Sequence, residues 1–395
     1  MKLTIIIIIY MTIMAVGLSV LAMLIREASG GKWTMAAFVP LGIAEILLLF
    51  PLVGALLPDG PMCWFFQKWG NIFIGYFIYY YLTLLVLWLI SLIFILKKKD
   101  RRERSDLRRK WSGALLIFPL ILSVLINAWG MHAAHDVKVT GYEMDKEILG
   151  LDSPARVVLV GDLHIGVNST PDLYRDMVDR INEQDADLVV VAGDLVTSSF
   201  GAMADPDVYA EIFRGINSRL GVYAVYGNHD VDEPLLGGFT FAGAENAKRN
   251  PAMEGWVKDC GWTLLKDESI RITELNDMVL IGRRDETRPG DGVTERAELK
   301  DLTRGVTEDD GVLLLEHEPS DLDEMGDLGV DLSVSGHTHD GQIFPGNIFC
   351  RVKGPQSYGM KEWGSASAIV TSGVGYYGPP IRVCTISEIV VIDFK

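Results

Sequence analysis

The stretch VDLSVSGHTHDGQ (Val330–Gln342) begins as a short apolar-patterned strand and breaks into a polar turn holding two histidines one residue apart. The whole chain has only seven histidines, so placing two of them in one turn calls for a chemical reason. The same unit, a strand-length apolar run that ends abruptly in polar groups, recurs throughout the second part of the chain. It is seen in RVVLVGDLH (Arg156–His164), DLVVVAGDL (Asp187–Leu195), GVYAVYGNHD (Gly221–Asp230) and GVLLLEHEP (Gly311–Pro319). Runs rich in Val and Leu without strict alternation predict strands buried on both faces. The intervening PDLYRDMVDRINEQ (Pro171–Gln184) and PDVYAEIFRGI (Pro206–Ile216) predict amphipathic helices, each with proline in the first turn. Strands alternating with helices imply a layered α/β domain whose chemistry sits at the strand ends.

The strand ends collect Asp162 and His164, Asp194, Asn228 with His229 and Asp230, His317, then His337 and His339. Carboxylates and imidazoles without a thiolate suit a hard-to-borderline divalent ion such as Mn, Fe, Ni or Zn. The number of groups predicts two ions. Asp194 is the expected bridge, with Asp162, His164 and His339 on one ion and Asn228, His317 and His337 on the other. Two such ions clamp the attacking and departing oxygens of an in-line displacement at phosphorus and hold a hydroxide at neutral pH. His229 is the expected catalytic residue, binding a phosphoryl oxygen or protonating the leaving group, and Asp230 is expected to fix its tautomer.

These blocks resemble the calcineurin-like metallophosphoesterases, whose pattern is D-x-H, G-D, G-N-H-[DE], a lone H and G-H-x-H. The chain matches each block over about residues 155–395: Asp162-Leu163-His164, Gly193-Asp194, Gly227-Asn228-His229-Asp230, His317 and Gly336-His337-Thr338-His339. The resemblance implies an α/β/β/α four-layer sandwich with a dinuclear metal centre between the sheets, and the same ligand roles. A closer likeness is to the family's bacterial membrane-associated branch, through SGHTHDGQ (Ser335–Gln342) and GPPIRVCTISEIVVI (Gly378–Ile392). Asp340 stands where that branch carries glycine. Some branch members act on phospholipid-like or UDP-diacylglucosamine substrates. The soluble pyrophosphatases for the latter have arginine at the position of His229, so their specificity does not carry over.

The first 135 residues read differently. Apolar runs cover about Leu3–Ile25, Thr34–Leu57, Asn71–Leu96 and Ser112–Gly130, each near or above the roughly 20 residues a helix needs to cross a bilayer. Trp33, Trp64, Trp69, Trp111 and Trp129 sit near their ends, as interfacial aromatics do. The first run is too long for the apolar core of a signal peptide. Four spans are expected, so the domains are a transmembrane region over 1–135 and a metallophosphoesterase domain over 150–395. KKKDRRERSDLRRK (Lys97–Lys110) carries nine basic and three acidic residues, reads as a loop, and should stay cytoplasmic. Counting outward from it, the loop with Lys68 and both termini lie outside, and the catalytic domain faces away from the cytoplasm. Glu45 lies within the second run and is expected to be protonated or helix-paired beside the Pro40 and Pro51 kinks.

Residues 136–395 hold 23 Lys+Arg against 46 Asp+Glu, a poor match for a nucleic-acid backbone. The four cysteines form no CxxC, which argues against a thiolate metal site or a disulfide framework. Between Gly237 and Arg304 the pattern is irregular. A helix near Ala244–Lys258, strands around Thr263–Ile272 and Met278–Ile281, and an exposed loop at Gly282–Gly292 are expected. The tail from Ser367 to Phe394 reads as β-rich. The function expected is a membrane-anchored, dinuclear metal-dependent phosphoesterase acting on a phosphodiester or lipid-linked phosphate. The alternative is a non-catalytic metal-binding module of a membrane complex or sensor.

Overall fold

The computed structural model describes residues 2–32, 35–197, 199–233, 235–240 and 248–395, with the side chains of 2–4, 35–38 and 202 left out. Trp33, Thr34 and the first residues of the helix expected near Ala244–Lys258 lie outside the described residues. The chain forms two compact units. One comprises Met1–Met131 with Leu235–Phe241 and Gly378–Pro380; the other comprises the rest.

The first unit contains helices α1 (Lys2–Ala28), α2 (Met35–Leu56), α3 (Pro61–Leu96) and most of α4 (Arg101–His135). All four are long and apolar enough to cross a membrane. Some of their polar side chains bond from one helix to another, which suits hydrocarbon surroundings. Tyr10 donates to the Leu48 carbonyl at 2.6 Å, Ser123 to that of Tyr76 at 2.7 Å, and Ser112 to the Glu27 carboxylate at 2.8 Å. Glu45 is exposed on α2. The basic stretch corrects one expectation: from Arg101 onward it is helix, not loop. Arg, Lys, Glu and Leu are good helix formers, and the Asp100 carboxylate accepts from the Arg102 amide at 2.6 Å, capping α4.

The second unit is built on two six-stranded sheets. The first sheet contains β1 (Val137–Met144), β2 (Ala155–Val160), β3 (Leu188–Ala192), β4 (Val222–Val225), β7 (Thr263–Leu264) and β14 (Ser387–Phe394). Its order is β1-β14-β2-β3-β4-β7, with β2, β3, β4 and β7 parallel. The two-residue strands β5 (Leu235–Leu236) and β6 (Phe239–Thr240), which belong to the first unit, form a separate small hairpin. The second sheet contains β8 (Glu268–Ile272), β9 (Met278–Gly282), β10 (Val312–Leu315), β11 (Leu332–Ser335), β12 (Gly359–Trp363) and β13 (Ala366–Val370). Its order is β12-β13-β11-β10-β9-β8, with the four inner strands parallel and both edges antiparallel.

Leu159, Val190 and Val225 of the first sheet share one buried core with Leu280, Leu313, Val334 and Ile369 of the second. Outside the first sheet, α5 (Pro171–Asn182), α6 (Pro206–Arg214) and α7 (Ala252–Asp259) bury Tyr174, Met177, Phe213 and Trp256 against Val158 and Val191. Outside the second sheet, α8 (Leu299–Leu302) and the turns around Leu322 and Met325 cover Ile281 and Leu314. This is the expected α/β/β/α sandwich with a thin fourth layer. A last helix, α9 (Gly346–Lys353), follows the two-histidine turn.

Two further expectations are corrected. The strand read over Thr263–Ile272 is two strands in different sheets, because the chain turns at Asp267 with φ 60°. The loop at Gly282–Gly292 is not freely exposed. Arg283 reaches Asp321 at 2.7 Å, Arg284 reaches Asp291 at 2.9 Å, and Arg283 and Asp285 are buried.

Candidate metal centre

Every residue singled out at the strand ends lies just beyond the carboxyl end of a parallel strand: β2, β3 and β4 in one sheet, β10 and β11 in the other. The two sheets therefore deliver their polar turns to one place. The turns are locked to one another. The Asp162 amide donates to Gly193 O at 3.0 Å, His164 to Asp194 O at 2.9 Å, and Gly336 to His317 O at 3.1 Å. Side-chain carboxylates complete the frame: Asp194 Oδ1 accepts from the His229 amide at 2.8 Å and Asp162 Oδ1 from the His337 amide at 3.0 Å. A Cβ on Gly227 would lie 2.3 Å from Asp194 Oδ1, and one on Gly336 2.4 Å from Asp162 Oδ2, which explains the glycines beside the ligands.

Two clusters result. In one, His164 Nε2 is 3.0 Å from His339 Nε2, and His339 Nε2 is 3.4 Å from Asp162 Oδ1. In the other, His317 Nε2 lies 3.1 Å from Asp194 Oδ2 and 3.0 Å from Asn228 Oδ1, which is also 3.0 Å from His337 Nδ1. Asp194 Oδ2 is 3.4 Å from His164 Nε2 as well, so one oxygen touches both clusters. Asp162, His164 and His339 form one group with metal-ligand proximity, and Asp162, Asp194 and His317 another.

The donor set fits divalent ions. His317 Nδ1 faces the Ala192 carbonyl at 2.7 Å and His164 Nδ1 faces Thr197 Oγ1 at 2.8 Å. Donation from His317 Nδ1 to that carbonyl turns Nε2 inward, toward Asp194 and Asn228. Lone pairs converging in a buried space are held together by cations. Protonation states agree. Burial, then the positive charge of neighbouring imidazoles, lowers His337 to about 4 and also depresses His339, while burial outweighs Asp194 at His164. Neutral imidazole is the ligand form. Burial lowers His317, but Asp194 and Asp162 outweigh it and hold the imidazole above the usual range. Burial raises Asp162 to about 7, whereas His317 and His229 overcome burial and hold Asp194 well below the ordinary carboxylate range.

The backbone is strained where these side chains originate. Asp162, His164, Asp194, His337 and His339 all have positive φ, between 47° and 74°. Each costs roughly 1–2 kcal/mol for an L-residue, a concentration of strain typical of functional sites.

His229 sits at the rim, its ring stacked on Tyr377 with centroids 4.4 Å apart. Its Nδ1 lies 2.6 Å from Glu233 Oε1, and Arg288 bonds both Glu233 and the Asn228 carbonyl. This corrects the role expected for Asp230. Asp230 Oδ1 accepts from the amides of Leu195 and Val196 at 2.8 and 3.0 Å, and Oδ2 from Gly227 at 2.7 Å. It ties together the loops bearing Asp194 and Asn228, and Glu233 fixes the His229 tautomer instead. Neighbouring side chains in this tight turn diverge, while the fourth residue onward returns alongside. The i, i+4 spacing was the sequence signal available for Glu233.

Two more residues, Arg382 and Asp285, were not singled out from sequence. Arg382 is fully buried and donates to the carbonyls of Ser372, Gly373, Gly375 and Ile386, with Nη2 3.5 Å from His339 Nδ1. Asp285 is buried, and its Oδ2 has no hydrogen-bond partner among the described residues; burial raises it to about 6. Asp340 pairs with Arg351 of α9 through contacts of 2.9 and 3.2 Å.

Two mixed sheets feed a buried Asp–His–Asn cluster from their strand ends, the arrangement of a candidate metal centre. Residues 155–341 match the model of the calcineurin-like phosphoesterase family. The chain is 28% identical over 334 residues to a transmembrane protein with metallophosphoesterase domain from Danio rerio, covering 80% of this chain and 71% of that one. It is 27% identical over 279 residues to an uncharacterized metallophosphoesterase of Aquifex aeolicus, covering 70% of this chain and 98% of the relative. Among solved structures, a dimetal phosphatase from Danio rerio aligns with 58% of this chain and 90% of its own, at 14% identity and a TM-score of 0.36. The chain is thus similar to the calcineurin-like phosphoesterases over residues 155–341 and to metallophosphoesterases over most of its length.

Proposed function

We propose that this protein is a membrane-anchored phosphoesterase that uses two divalent ions, of the bacterial membrane-associated kind. The observation that carries the reading is Asp194 Oδ2, one oxygen in contact with His164 of one cluster and His317 of the other. Asp162, His164 and His339 would hold one ion, and Asn228, His317 and His337 the second, with Asp194 between. When bound, such ions stabilise charge on a phosphoryl group and activate water at neutral pH.

The chain's own residues do the rest. Glu233 takes Nδ1 of His229, so Nε2 is the atom that can deliver a proton to a departing oxygen. Burial pulls His229 down, but Asp194 and Glu233 outweigh it, and the imidazole titrates above its ordinary value, which keeps an acid available near neutral pH. Arg288 orients Glu233 and the Asn228 backbone together.

Four apolar helices lead into this domain, and only Asp136 separates α4 from β1. The basic Lys97–Lys110 stretch favours a cytoplasmic position for that end of α4, which would put the domain on the far side of the membrane. A domain tethered at a bilayer favours a phosphodiester or lipid-linked phosphate as substrate, because tethering raises the effective concentration of groups in that surface.

The test is hydrolysis of bis(p-nitrophenyl) phosphate and p-nitrophenyl phosphate by the full chain in detergent with Mn, with Asp194→Asn alongside. Turnover that needs metal and is lost in the variant supports the enzyme. A diester rate well above the monoester rate supports the substrate class. Two bound ions per chain with turnover of neither probe would favour the non-catalytic module.

A further inference from the structure

Helix α9 leaves apolar side chains in the open. Phe349 is 69% exposed, Val352 82% and Ile348 50%, with Phe344 exposed just before the helix. Single exposed apolar residues are ordinary, but four within nine positions form a patch. At about 100° per residue, Ile348, Val352 and Phe349 fall on one stripe, with Arg351 on one border and Lys353 on the other. Both basic residues are exposed, and buried Asn347 occupies the opposite side. An apolar stripe bordered by cations is the pattern of a helix lying in a bilayer interface, where the cations meet anionic headgroups.

The helix is also rigidly joined to the metal-binding turn. A Cβ on Gly341 would come within 2.3 Å of the Asn347 amide nitrogen, so the start of α9 is packed on the residue two beyond His339. Asp340, which stands between His339 and Gly341, holds Arg351 through two bonds. A second copy of the chain is a poor occupant for this stripe. A helix of eight residues is about 12 Å long and cannot supply the roughly 800 Å² per partner of a stable interface.

We propose that α9 is an interfacial membrane helix: Ile348, Phe349 and Val352 dip into the bilayer to which the chain's own helices tether the domain, and Arg351 and Lys353 lie among anionic headgroups. The metal-binding turn is thereby held at headgroup level. The proposal rests on the reading of α1–α4 as membrane spans, and needs no catalytic turnover.

The test places the photo-crosslinker benzoylphenylalanine at Phe349 in the full chain, assembled in nanodiscs of phosphatidylcholine and phosphatidylglycerol. The same substitution at Leu89, exposed on α3, is the insertion control, and at Arg304, an exposed polar position after α8, the solvent control. After irradiation, lipid adducts are counted by mass spectrometry. The expected yield at 349 is about tenfold that at 304 and of the order of that at 89. Adducts at 89 with only the background level at 349 would overturn the proposal while leaving the spans intact. Loss of adducts at both 349 and 89 would overturn both readings. A crosslink between two chains at 349 in place of lipid would also overturn it, and make the stripe a protein interface.

Discussion

The two halves of the candidate site solve opposite problems. Around Asp194 and His317, lone pairs converge in a buried, strained pocket that its own protons do not neutralise evenly. Around His229, the hydrogen-bond chain runs without gaps from imidazole to Glu233 to Arg288. On the proposed function, the first half is built for cations and the second for a proton. Loss of a residue in the first half should therefore be read in bound metal, and loss in the second in rate and pH dependence.

Asp194→Asn should have the largest effect. It removes the oxygen common to both clusters, so bound metal measured by elemental analysis should fall below two ions per chain, and activity by about 10³-fold or more. Chelation of the wild-type chain should reproduce the loss and Mn should restore it. His229→Asn should come next, lowering kcat by about 10²–10³-fold with metal content unchanged. Equal loss of metal in both variants would break the distinction between the halves.

Glu233→Gln should lower kcat by about tenfold, again with full metal. Its pH profile has a definite sign. His229 acts protonated, so activity declines as pH rises through its pKa. Glu233 helps to raise that pKa, so the variant's alkaline limb should move to lower pH. An unmoved limb would assign the proton to another group. Asp230→Asn should have the smallest effect on rate. Its new amide would face the Gly227 N–H or the Leu195 and Val196 pair, costing about 1–3 kcal/mol of stability, seen as a lower Tm. A shift of the pH limb in this variant would return the orienting role to Asp230.

Much of this was legible beforehand. Val and Leu runs ending in Asp, Asn or His mark buried parallel strands, because such strands have apolar neighbours on both faces and expose only their ends. The order of the motifs then implied which ends carry ligands, and the apolar N-terminal runs marked helices by length alone. The His229 partner was misread because adjacency in sequence suggested Asp230, while the turn sends that side chain toward the Leu195 and Gly227 amides. The loop at Gly282–Gly292 was misread because its Arg and Asp residues look solvated until their partners Asp321 and Asp291 are placed.

The sequence by itself determined most of the element types, the apolar helices and the candidate metal-binding side chains, since these follow from local periodicity and from donor chemistry. Only the tertiary structure decided that two sheets present their strand ends to one another and that Asp194 Oδ2 is shared. It alone showed that Glu233 holds His229 and that α9 leaves its apolar stripe uncovered. Those depend on contacts between residues far apart in the chain and on left-handed backbone at non-glycine positions, which packing imposes against local preference.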